Sequence, residues 1–431
     1  MRTATHSPGE RAVWRWHFYA GLFCIPFILW LACTGSLYLW RPQIEALIDR
    51  PYDHLAISGP AAPAADQVKA AVAAVPGGSF LSYQLPDTPH QAVRILVAKD
   101  GRAIRVYVHP QSLAILKTVG DEDRLMRVIF HLHGELLMGN QGSWLVELAA
   151  SWAIVLILTG LYLWWPRGRG AAGVLWPRLG AGGRVMWRDL HAVVGFWVSL
   201  FALFLLVTGL PWAAAWGSYF KEIRVLTGTA VARQDWPSGV SRPIEDHSEH
   251  GGVPAVALAP PGDGAIDLVV AAARQLEFAG PVMLSPPSRP GGDWKVRSDA
   301  ANRPLRAVAT IDPASGAVVT REDYADRHVI DRVVGYGVAA HEGQLFGLAN
   351  QILGTLAALG LVTLSVTGAV LWWRRRPPGG FGAPRVEAGD RLPAPVKAAA
   401  WLLALLLPMF ALSALLIWLS EWAGRGRRIS A

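Results

Sequence analysis

Four histidines stand at spacings that repeat. His133 opens the stretch His133-Gly134-Glu135-Leu136-Leu137-Met138-Gly139, which leads through an apolar helix to Thr159-Gly160 and Trp164-Trp165. His341 opens a matching stretch to Gly347, followed by Thr367-Gly368 and Trp372-Trp373. Histidine to threonine is 26 positions in both, 133 to 159 and 341 to 367, without a gap. His17 and His191 form a second matched set. Each is followed four residues on by glycine, Gly21 or Gly195, and 17 residues on by Thr34-Gly35 or Thr208-Gly209. Two facing imidazoles are what a six-coordinate haem iron takes as axial ligands, the porphyrin giving the other four nitrogens. Pairing His17 with His191, and His133 with His341, therefore predicts two haem b sites, one at each end of a helix bundle. Gly21 and Gly195 share a helix face with their histidines, where a side chain would compete with a macrocycle, so both are assigned to cofactor binding. Each Thr-Gly pair lies level with the other site, where glycine lets a flat ring approach the backbone.

A single histidine at a membrane helix end is more often interfacial, and glycine there more often marks helix packing. Histidine, however, is only 12 of 431 residues, so coincidence at two matched positions weighs against chance. Zinc fits less well, because a structural zinc takes four protein ligands and only two are offered at each level. His131 competes with His133, but its counterpart in the second copy is Ala339.

The elements that must position these histidines are membrane helices. The composition is 52% hydrophobic and 17% charged, with 20 tryptophans, many at the ends of apolar runs. A basic head, 1–16, precedes a first span, 17–40, read as a retained anchor because Trp40-Arg41-Pro42 follows it in place of a cleavage site. Next come a polar region, 41–130, and an interfacial segment with the second span, 131–165. A basic loop, 166–190, and the third span, 191–213, follow. A second polar region, 214–340, leads to the fourth span within 341–373. A loop, 374–395, a fifth span, 396–419, and a tail, 420–431, complete the chain.

Within the polar regions the patterning predicts helices at Ala64–Val75 and Ala265–Gln275, and strands at Ala92–Ala98, Arg102–His109, Asp293–Arg297 and Arg306–Asp312. The expected fold is thus membrane α-helical. A duplicated helix–outer domain–helix unit makes a four-helix core with a pseudo-two-fold along the membrane normal, plus a fifth span and two small α+β domains. Basic loops place the N-terminus in the cytoplasm and the polar regions in the periplasm of a bacterial inner membrane. The basic tail, on the other side after five spans, disagrees.

Other chemistry is excluded or demoted. The net charge of +8 tracks the loops and points to topology and the lipid bilayer, with no nucleic acid. Cys24 and Cys33 lie in the first span, which leaves no iron–sulfur cluster or disulfide framework. No Gly-rich nucleotide loop follows a strand. Arg184 and Arg188 either pair with haem propionates or hold topology, the second being favoured. Asp246-His247-Ser248-Glu249-His250 reads as a solvated loop before a metal cluster. His6, His54, His90 and His328 have no constellation around them. No catalytic side chain is assigned.

At this point the chain resembles the PepSY-associated transmembrane family. The resemblance rests on His17 with Thr34-Gly35, Leu132-His133 with Thr159-Gly160 and Trp164-Trp165, and their copies at His191 and His341, over roughly residues 10–376. Asp312-Pro313-Ala314-Ser315-Gly316 resembles the strand-end turn of the PepSY fold; His109-Pro110-Gln111-Ser112-Leu113 departs from it, lacking Asp and Gly. The resemblance implies PepSY-like outer domains and an iron-regulated inner-membrane protein, similar to di-haem ferric-siderophore reductases. It would be a haem-dependent oxidoreductase that takes electrons from a cytoplasmic reductase or quinol to a ferric siderophore or other periplasmic acceptor. Alternatives are a haem-free anchor whose outer domains bind a periplasmic partner, and a siderophore transporter. Against transport, the spans are read as lacking charged residues that might line a path.

Overall fold

The computed structural model describes residues 7–165, 172–230, 264–383 and 390–429. Among the described residues four helices are long and apolar enough to cross a membrane: α1 (Pro8–Leu39), α5 (Gly139–Trp164), α6 (Gly183–Gly209) and α10 (Leu348–Arg375). α1 starts at Pro8 because Ser7 and Glu10 make a reciprocal capping box, Ser7 Oγ accepting from the Glu10 amide and Glu10 Oε2 from the Ser7 amide. α1 and α6 each pack against both α5 and α10. The four form a square bundle with α1 and α6 on one diagonal.

A sheet stands at one end of the bundle. After α1 come α2 (Arg41–Asp53), α3 (Ala64–Ala73), β1 (Ser79–Leu85), β2 (Val93–Lys99), β3 (Arg102–Val108), β4 (Ile115–Gly120) and α4 (Leu125–Glu135), which leads into α5. After α6 come α7 (Ala214–Leu226), α8 (Ala265–Gln275), β5 (Val282–Ser285), β6 (Trp294–Ser298), β7 (Ala307–Ile311), β8 (Val318–Asp323) and α9 (Val329–His341), which leads into α10. The two expected small domains are in fact one. All eight strands form a single sheet in the order β4-β3-β2-β1-β5-β6-β7-β8. The join is β1 on β5, antiparallel, with Tyr83 opposite Leu284 and Leu85 opposite Val282. The physical reason is that each half on its own would leave a row of unpaired amides at that edge. Pairing also merges the cores, bringing Phe80 and Trp294 to 6.1 Å between ring centroids under α3 and α8. Asp267 on α8 accepts from the Ala64 amide at 2.6 Å, so one half caps α3 of the other.

The departing strand-end turn is the same turn in other residues. Asp312 accepts from the Ala314 and Ser315 amides, and Gly316 takes φ +72°. At the matching place His109 Nδ1 accepts from the Gln111 and Ser112 amides, and Leu113 takes φ +61°.

Two further expectations are corrected. The fifth span is broken into α11 (Ala394–Leu406) and α12 (Pro408–Ile429), with Leu407 extended at φ −126° and ψ 93° between them. Pro408 lacks an N–H and its ring disfavours a helical residue before it. The carbonyls freed at Leu405 and Leu406 accept from Tyr219 Oη and Trp216 Nε1 of α7, at 3.0 and 3.1 Å. The spans also do not lack charge. Glu147 lies in α5, 2% exposed. Its Oε2 accepts from the Ala215 amide at 2.9 Å, and Ser143 Oγ accepts from the Ala214 amide at 3.2 Å. Both act as remote caps for the first turn of α7. The far end of α7 is held by Arg224, which makes a buried two-pronged pair with Asp331 of α9 at 2.8 and 2.9 Å.

Asp267→Ala is expected to destabilise the protein by about 1 kcal/mol, the usual cost of a lost helix cap. The check is the thermal unfolding midpoint in detergent, with Asp293→Ala, at an exposed position, as a control that leaves it in place.

Candidate paired-histidine site

The structure brings together the histidines that the spacing pairs. His17 on α1 and His191 on α6 face each other across the diagonal, ring centroids 6.4 Å apart and planes at 84°. His133 and His341 do the same near the sheet, 6.5 Å apart and at 74°. Along α1 the two levels are 17 residues apart, from His17 to the Thr34 that holds His133, or about 25 Å of helix rise.

His133 and His341 are not at the starts of apolar helices. His133 lies in the last turn of α4, and His341 is the last residue of α9. The chain then turns sharply before the membrane helix. In the first half Leu136 and Leu137 take φ +53° and +56° and Gly139 φ +57°; in the second, Gly343 and Gly347 take φ +74° and +57°. These left-handed residues stop the helix and let the next one start in a new direction. The histidines therefore enter the bundle from outside it, on helices anchored in the sheet layer.

Each imidazole is held by a threonine of a neighbouring helix. Nδ1 lies 3.1 Å from Thr159 Oγ1 for His17 and 3.0 Å from Thr367 Oγ1 for His191. It lies 3.0 Å from Thr34 Oγ1 for His133 and 2.9 Å from Thr208 Oγ1 for His341. Every one of these hydroxyls already donates to the carbonyl four residues back, at 2.7 or 2.8 Å. With its only proton committed, the hydroxyl accepts, so Nδ1 carries the hydrogen and Nε2 keeps its lone pair. Burial, and then the His341 ring, pull His133 down to about 4, and burial lowers His341 as well, so both stay neutral.

The flat ring that the Thr-Gly glycines admit is this imidazole. A Cβ at Gly35 would sit 2.9 Å from His133 Cε1, and one at Gly160 3.1 Å from His17 Cε1. At Gly209 and Gly368 the distances to His341 and His191 Cε1 are 3.3 and 3.4 Å. Gly21 and Gly195 have more room, a Cβ there meeting only Leu156 at 3.6 Å and Leu364 at 3.4 Å. They sit one turn from His17 and His191, on the face that looks into the bundle.

The rival, His131, points elsewhere. Its Nε2 lies 2.8 Å from Glu122 Oε2 and its Nδ1 3.2 Å from Glu135 Oε2. The Glu122 contact first, then Glu135, raise it to about 9 against the opposing effects of burial and Arg127. Arg188 is occupied by Asp189 at 2.6 Å. His90 Nδ1 meets the Leu55 carbonyl and His328 caps α9. Among the described residues no cluster of three or more His, Cys, Asp or Glu side chains could hold a metal ion. The stretch from Asp246 to His250, and His6, lie outside the described residues. What sequence reasoning missed is the threonine role; the signal was present, since the threonines recur at matched places, 17 residues after His17 and His191 and 26 after His133 and His341.

Two neutral imidazoles per level, each with one free nitrogen, can give two axial nitrogen ligands to one ion at each level. Four helices long and apolar enough to cross a membrane, enclosing two such buried pairs beneath a β-sheet, define a multi-pass membrane protein. Residues 14–375 match the family described as the PepSY-associated TM region, and the chain belongs to that family. All four histidines lie within the matched segment. A search of curated proteins found no match.

Gly35→Ala should cost about 1–3 kcal/mol, as overpacking does, because the His133 ring must move. Gly368→Ala should cost clearly less, and thermal midpoints of the two variants give the order. His131 supplies a pH dependence. Its folded pKa is raised, so its stabilisation is complete below about 6.5 and disappears as pH climbs through about 9. Unfolding midpoints measured from pH 6 to 10 should fall, and His131→Asn should flatten the curve.

Proposed function

We propose that this protein binds two haem b groups, one between His17 and His191 and one between His133 and His341. It would carry electrons across a bacterial inner membrane to a ferric siderophore in the periplasm. The observation that carries this reading is the pair of ring spacings, 6.4 and 6.5 Å. A metal–imidazole bond of about 2 Å on each side of one ion, plus the two ring radii, separates the centroids by roughly 6 Å. An edge-to-face ring contact would explain one such pair. It does not explain why four rings at two levels each spend Nδ1 on a threonine and keep Nε2 free. A threonine bond of that kind orients a ligand and fixes its tautomer.

Haem, when bound, would supply the one-electron chemistry. The chain's own part is to orient four imidazoles, keep them neutral and exclude water with the apolar bundle. The basic loops support an orientation with the N-terminus in the cytoplasm and the sheet in the periplasm. The matched histidine spacings and the two four-stranded halves of the sheet support a duplicated unit with PepSY-like outer halves. At the acceptor, one electron converts iron(III) to iron(II), and hard oxygen chelators hold iron(II) less firmly, so the metal is released. The donor would be a cytoplasmic reductase or a membrane quinol.

Purified protein should show a low-spin b-type spectrum in a dithionite-reduced minus oxidised difference, with two haems per chain. His17→Ala and His341→Ala should each abolish one of the two. A chain that takes up no haem when expressed with ample supply would refute the proposal and leave the haem-free anchor.

A further inference from the structure

The end of the bundle away from the sheet is rich in arginine, and the arginines that meet carboxylates are distinct from those that do not. Asp390 is taken by Arg11 and Arg15, at 2.9 and 3.0 Å. Asp189, fully buried, is taken by Arg178 and Arg188, both at 2.6 Å. Arg184 and Arg375 have no carboxylate partner among the described residues.

Their placement is specific. Arg184 is seven residues before His191 on α6, and Arg375 seven residues after Gly368 on α10. Seven residues are close to two turns, so each lies on the helix face that carries the inner site, about 10 Å toward the loops. Arg375 is half-buried. Its guanidinium lies 4.3 Å from the Trp14 ring centroid and 5.2 Å from that of Phe18, the neighbour of His17, and it donates to the Gly382 carbonyl at 3.3 Å. Arg184 is at the same level by the same two-turn offset, since Gly368 lies against His191. A stacked, immobilised guanidinium beside a second one, without a counter-ion, is a receptor for a planar anion, and arginine matches a carboxylate two bonds to two.

We propose that Arg375 and Arg184 form an anion site at the cytoplasmic mouth of the bundle that binds the propionate carboxylates of the haem held by His17 and His191. This rests on the haem reading above. The sequence favours a topological role for Arg184 and Arg188; here Arg184 joins Arg375 instead, since Arg188 is held by Asp189. The same chemistry could be met by the phosphate of an anionic lipid, so the experiment separates the two.

Full-length protein with Arg184→Gln and Arg375→Gln together is compared with wild type in vesicles of phosphatidylcholine alone and with added phosphatidylglycerol. Haem per chain and both midpoint potentials are read by redox titration. Removing two positive charges from one haem's carboxylates should lower one potential, leave the other in place and weaken retention of half the haem, equally in both vesicles. Arg375→Lys should restore most of the potential, and Arg376→Gln, whose guanidinium stacks on the exposed Trp373, should change neither. Two haems with unmoved potentials in the double variant would overturn the site alone. An effect that appears only with phosphatidylglycerol would overturn it in favour of a lipid phosphate. A wild-type protein without haem would overturn both this site and the reading it rests on.

Discussion

A buried imidazole has two nitrogens and must satisfy or use both. In this bundle four imidazoles solve the problem identically, giving Nδ1 to a threonine hydroxyl that a neighbouring helix has already locked against its own carbonyl. The bond works because the threonine has one proton and two lone pairs; once the proton is spent, the hydroxyl can only accept. The adjoining glycine leaves room for the ring against the threonine's helix, most tightly at Gly35 and Gly160. The Thr-Gly dipeptide and the histidine are therefore one unit split between two helices, and the packing of the helices is set by the need to bring the parts together.

The two levels are assembled differently. At the loop end both histidines belong to membrane helices. At the sheet end they arrive on α4 and α9, helices that come out of the sheet layer and stop at left-handed turns. The position of the upper pair is thus fixed by soluble structure, through Arg224 on Asp331 for α9 and the Glu122–His131–Glu135 contacts for α4. The lower pair depends only on the bundle.

Much of this was legible before any coordinates. Four spans, both histidine pairs, two helices and four of the eight strands can be read from period and spacing. β2 and β3 alternate or run apolar and are visible. β1 is not, because a bulge between Phe80 and Ser82 breaks its alternation. β4 and β8 are edge strands with little buried side chain, so they carry no apolar pattern. The single sheet was hidden for a different reason: three residue pairs between β1 and β5, separated by about half the chain, decide it, and local sequence holds no record of such pairing. The break at Leu407 could have been suspected from Pro408, yet a proline in α1, Pro26, interrupts nothing, so proline alone does not tell a break from a tolerated ring. The choice of His133 over His131 could be made only through the matching stretch at His341; the structure adds that His133 faces His341 while Glu122 and Glu135 hold His131.

The edge-to-edge join of β1 and β5 has a consequence for how such a chain can be divided. A polypeptide holding only the first half would keep α1, α5 and His133 but expose the β1 edge, and each of its histidines would face empty space. The same is true of the second half with β5. Neither piece is a smaller version of the whole; each is one face of a mould. Each half supplies one edge of the join and one histidine of each pair, so both paired sites exist only where the halves meet.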